Sequence, residues 1–78
     1  MFVKVKLYGT LRRLSNPDTP GLWQGEIQEG ATLLDLIALL GTREEEVAAA
    51  AIDDRVCPLE TIIPPGSVVV LVTPVGGG

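Results

Sequence analysis

Residues 64–78 read PPGSVVVLVTPVGGG, and the parsing of this stretch decides the fold. Pro64-Pro65-Gly66-Ser67 is a turn by composition. Val68-Val69-Val70-Leu71-Val72 follows without a polar break. A β-rich run with no alternation predicts a central strand covered on both faces, as parallel neighbours usually are. Pro74 ends the ladder because it has no N–H to donate. Beyond it lie Val75-Gly76-Gly77-Gly78, nearly bare of side chains, so residues 74–78 are expected to form a flexible tail.

Working outward, Phe2 to Tyr8 reads as the other main strand. Val3, Val5 and Leu7 share one face while Lys4 and Lys6 take the other. Gly9 stops it, and Thr10 to Leu14 predicts a short helical turn. Residues 15–21 (SNPDTPG) are a loop dense in turn formers. Leu22 to Gln28 pairs back as a second strand. The main helix begins at Thr32, where Thr32 and Asp35 have the spacing of a capping box. Leu33, Leu36, Ile37 and Leu40 then recur as one buried stripe, and Gly41 supplies the stop. Leu34 and Leu39 fall off that stripe and are expected to be half exposed.

Thr42 with Glu45 repeats the capping spacing, predicting a second short turn over Arg43 to Val47. Residues 48–51 (AAAA) favour helix by propensity. Their context favours a strand, because Asp53-Asp54 is a turn signal and Val56-Cys57 a short apolar return. We take the strand reading, giving the order strand, strand, helix, strand, short strand, strand.

Seventy-eight residues make one domain, 1–78, with 46% apolar residues to build its core. The formal net charge of −4 disfavours nucleic acid and anionic membrane surfaces and points to a partner with a basic or apolar surface. No run approaches the ~20 apolar residues of a membrane span. One cysteine excludes an internal disulfide, and the amino-terminal residues are unlike a signal peptide; a cytoplasmic protein is expected. Histidine is absent, which removes the commonest general base and the commonest metal ligand. No metal site is expected.

The candidate for chemistry is the tail. Fully extended, Pro74 to Gly78 reaches roughly 17 Å, and a thread without Cβ atoms can enter a narrow active site. The terminal α-carboxyl, with a reference pKa of about 3.5, is ionised at neutral pH. Such a carboxylate can attack the α-phosphate of ATP to give an acyl-adenylate, open in turn to a sulfur or amine nucleophile. A frayed terminus is the ordinary alternative.

Three further stretches carry a resemblance. Lys4-Val5-Lys6-Leu7-Tyr8-Gly9-Thr10-Leu11-Arg12, Gly30-Ala31-Thr32-Leu33-Leu34-Asp35-Leu36-Ile37 and Ile63 to Gly78 are similar, in order and spacing, to the MoaD/ThiS family of ubiquitin-like sulfur carriers. The resemblance spans almost the whole chain. It implies an α+β, ubiquitin-like β-grasp fold: a mixed sheet of four to five strands on one main helix, first and last strands adjacent at its centre. It also implies a protein that is not an enzyme on its own and binds no permanent cofactor. An adenylyltransferase related to ubiquitin-activating enzymes would use ATP to adenylate Gly78, which then becomes a thiocarboxylate that donates sulfur. Gly77 would be its thin neighbour, and Pro74, Val75 and Gly76 would guide the tail into the partner. The length of Gly9 to Gly21 favours the small subunit of molybdopterin synthase, whose large subunit, or another sulfur acceptor enzyme, would be the second partner. A thiamin carrier, a ubiquitin-like modifier and a plain interaction module are the alternatives. The chain departs from the family at Asp53-Asp54, where Asn-Gly is frequent, at Ser67 for Asp, and at Thr73 for the first of two prolines.

Other residues have simpler readings. Cys57 is a small apolar residue beside a turn proline, with no neighbouring base to activate it. Glu44-Glu45-Glu46, Arg12 and Arg13 default to a solvated surface, with docking as the alternative. Trp23 is either a partly buried strand residue or an interface anchor.

Overall fold

The computed structural model describes residues 1–74. The expected tail positions Val75, Gly76, Gly77 and Gly78 lie outside the described residues. The elements run β1 (Phe2–Leu7), a 3-10 turn (Gly9–Leu14), β2 (Leu22–Glu26), α1 (Leu33–Leu40), a second 3-10 turn (Glu44–Glu46), β3 (Ala49–Ile52), β4 (Arg55–Cys57) and β5 (Val68–Val72). One sheet of order β2-β1-β5-β3-β4 holds all five strands. β1 and β5 are parallel at its centre, in the register Lys4 beside Val68 to Leu7 beside Leu71. The other pairs are antiparallel. This is the β-grasp arrangement, a mixed sheet carrying one main helix.

The capping box at α1 forms in full: the Thr32 hydroxyl accepts from the Asp35 N–H at 3.2 Å, and Asp35 Oδ2 accepts from the Thr32 N–H at 2.9 Å. Gly41 closes the helix at φ 86°, in the left-handed region that a Cβ disfavours. Leu33, Leu36 and Ile37 are buried, packed with Val3, Val5, Leu7, Val69 and Leu71 of the central strands. Leu40 is half-buried, and Leu39 is 56% exposed, further out than its expected position.

Residues 49–52 are a strand, so pairing overrides alanine's helical propensity. The β3–β4 turn works without glycine: Asp53 and Asp54 take φ of 49° and 71°, a conformation aspartate tolerates better than most residues. Asp53 Oδ1 also accepts from the Val68 N–H at 2.9 Å, tying this turn to the start of β5.

Two expectations fail. Thr42 does not cap the second 3-10 turn; Arg43 holds that position with no side-chain bond, and the Thr42 hydroxyl donates to Glu46. More consequentially, β5 is not covered on both faces. Val69 and Leu71 are buried, whereas Val68, Val70 and Val72 are only half-buried. The run is apolar on two sides, and the described chain covers one of them.

Candidate functional site

The uncovered face is built by register. Leu22, Lys6, Val70, Ala51 and Val56 are paired partners in turn, so they form one row crossing all five strands on the side away from α1. Lys4 and Val68 form the next row on one side, and Ala49 and Val72 the next on the other. Val56 is 79% exposed at the β4 edge, and Phe2, on the same face of β1, is 49% exposed. The face is an apolar stripe along β5, flanked by both lysines of a chain with net charge −4. Among the described residues nothing packs over this β-branched stripe, which makes it a candidate interaction surface.

β5 leads from this stripe to the chain end. Its last ladder bonds run to both neighbours: the Tyr8 N–H donates to Leu71 O at 3.1 Å, and the Ala48 N–H donates to Val72 O at 2.8 Å. Thr73 is half-buried and Pro74 exposed. Of the residues assigned to the tail, the structure therefore places Pro74 on the surface, at the end of the central strand. Gly78, Gly77, Gly76 and Val75 are not among the described residues.

Beside this exit the first 3-10 turn is held by a polar cluster. Leu11 anchors it in the core. Arg13 donates to both oxygens of Glu46, at 2.6 and 2.9 Å, and the Thr10 hydroxyl donates to Glu46 at 2.9 Å. These donors, the Thr42 hydroxyl foremost, hold the Glu46 carboxyl at a pKa of about 2. Arg13 and Glu46 are thus partners of one another and not a free surface charge.

Trp23 is a partly buried residue of β2. It pairs with Val5 on the helix side of the sheet, and its ring lies across Gly25, where a Cβ would come within 2.7 Å of the indole. Cys57 is half-buried against the core. A groove beside α1, between Ile27–Ala31 and Asp35, Leu36 and Leu39, lies on the helix side, away from the open face. Among the described residues no helix is long and apolar enough to cross a membrane, and no cluster of three His, Cys, Asp or Glu could hold a metal.

What sequence reasoning missed is the open face and the polar cluster. The signal for the first was present: an unbroken apolar run in a sequence whose pattern predicts one main helix against four to five strands.

The ThiS family model matches residues 5–78. Among solved structures, SAMP1 of Haloferax volcanii superposes with a TM-score of 0.70 at 18% identity, over 100% of both chains, a likeness of fold. A Pyrococcus furiosus protein assigned to molybdopterin converting factor subunit 1 gives 0.69 at 26% identity, over 95% of this chain and 98% of that one. A Helicobacter pylori complex of subunits 1 and 2 of molybdopterin-converting factor gives 0.59 at 28%, over 100% of both chains. No curated protein matches the chain.

Proposed function

This chain belongs to the ThiS family of ubiquitin-like sulfur carriers, and from that membership we propose that Gly78 is its working group, adenylated by a partner and then converted to a sulfur-donating thiocarboxylate. The α-carboxylate attacks the α-phosphate of ATP and pyrophosphate leaves. A sulfide-equivalent nucleophile then attacks the acyl carbon and AMP leaves. The chain itself contributes no acid or base. It contributes a docking face and a thin end, and Gly77, Gly76, Val75 and Pro74 guide that end into the partner.

The observation that carries this reading is the course of β5. The strand whose outer side chains form the open apolar face is the strand that leaves the sheet at exposed Pro74. Docking by Val68, Val70 and Val72 would bring the chain end to the same partner. The net negative charge suggested a basic or apolar partner; locally, Lys4 and Lys6 on this face fit an apolar surface bearing carboxylates.

We place the carrier in molybdopterin biosynthesis, delivering sulfur to the large subunit of the synthase. The likeness to a subunit 1 and to a subunit 1–2 complex supports this placement. Delivery to a thiamin precursor or another sulfur-containing metabolite is the second reading.

Co-expression with the cognate adenylyltransferase, followed by intact-mass measurement, tests the proposal. Replacement of one oxygen by sulfur at Gly78 is the expected result. Lysine conjugates without that exchange would make the chain a modifier, and an unchanged mass would overturn both.

A further inference from the structure

Thr73, immediately before the tail, is seated against Gly9. Gly9 lies at φ +64°, and a Cβ built there would fall far inside contact distance of Thr73 Oγ1 and 3.1 Å from Thr73 Cβ. The first 3-10 turn therefore opens on a hollow without a side chain, and the Thr73 side chain fills it. Among the described residues, this contact continues the hold on the strand's end past the Val72 carbonyl bond to Ala48. The wall of the hollow is fixed, because Leu11 is fully buried and Arg13 and Thr10 are both bonded to Glu46.

We infer that Gly9 and Thr73 form a socket that fixes the root of the tail and sets the direction in which it leaves the sheet. Backbone chemistry points the same way. A residue before proline is restricted to extended conformations, a β-branched side chain is stiff at χ1, and Pro74 has a fixed φ. Thr73, which departs from the proline common in the family, replaces a ring by a side chain that locks into Gly9. Both are positioning residues; neither touches the reacting atoms. A root aimed correctly reduces the search that the chain end must make once the open face is docked, and misplacements of about 1 Å cost up to ~100-fold in rate.

The inference rests on the proposed adenylation of Gly78, so its test uses two readouts. In steady-state adenylation by the cognate enzyme, Thr73→Gly, which empties the socket, lowers kcat about tenfold with KM within about twofold, because the docking face is intact. Thr73→Val, which keeps the shape, restores kcat. Gly9→Ala is impaired, and Gly9→Ala/Thr73→Gly is better than Gly9→Ala alone because the clash is gone. Independently of any activation, the backbone order parameter at position 73 should be about 0.85 in the native chain and in Thr73→Val, and should fall to about 0.6 in Thr73→Gly. Equal kcat in Thr73→Gly and the native chain, or an unchanged order parameter, overturns the socket. If the native chain is not adenylated at all, the parent reading fails, and the order parameter still decides the socket.

Discussion

Arg13 and Glu46, 33 residues apart in sequence, meet in a two-pronged ion pair at 2.6 and 2.9 Å that joins the two 3-10 turns on either side of the chain's exit. Thr10 and Thr42 add their hydroxyls to the same carboxylate. Each turn is too short to hold its own shape. The pair converts two loose connections into one brace beside the end of β5.

The brace has a pH signature. Hydrogen bonds from Thr42, Arg13 and Thr10 lower the Glu46 pKa from 4.5 to about 2. A depressed folded-state pKa gives stability that is present above the unfolded value and lost as pH falls through the folded one. Thermal melts of the native chain and Glu46→Gln should therefore differ most above pH 4.5 and converge toward pH 2. A difference independent of pH would show that the carboxylate's charge plays no part.

Leu36 is fully buried between α1 and the sheet. Leu36→Ala should cost about 2–5 kcal/mol, a large share of the stability of so small a domain. Urea unfolding measures it. A negligible loss would mean that the helix stripe does not hold the core.

Neighbouring valines of β5 should separate folding from docking. Val69 is fully buried, so Val69→Asp places an unpaired carboxylate in the core and should abolish cooperative folding. Val70 faces the open side, so Val70→Asp should fold, yet raise KM for the adenylyltransferase tenfold or more, about 1.4 kcal/mol. Unchanged KM in a folded Val70→Asp would move the docking surface elsewhere.

Asp54 sits at φ 71°, and among the described residues its side chain makes no hydrogen bond, whereas the Asp53 carboxylate accepts from the Val68 N–H. Asp54→Gly should relieve backbone strain and stabilise the domain by about 0.5–1 kcal/mol. Destabilisation in a urea titration would indicate that the Asp54 side chain holds the hairpin.

Local signals in the sequence located most of the fold. The capping box, the glycine stop and the alternation of β1 each act over a few residues and survive folding unchanged. Even the alanine run resolved correctly, because the Asp53-Asp54 turn outweighed propensity. The failures are non-local. Nothing near Arg13 announces Glu46, and Thr42 satisfies a capping pattern while its hydroxyl binds the Glu46 carboxylate instead of a backbone N–H. The apolar outer face of β5 was visible as a pattern, but whether this chain or another protein covers it depends on how many layers the whole domain builds. The close seat of Thr73 on Gly9 likewise follows from the parallel pairing of first and last strands, not from either residue alone.

The chain end itself can be tested by ATP–pyrophosphate exchange with the cognate adenylyltransferase. The native chain should support exchange, and chains lacking Gly78 or extended by one residue past it should support none while melting within a degree or so of the native protein, since the core residues of β5 are untouched. Normal exchange by either altered chain would place the reactive group elsewhere and contradict the carrier mechanism.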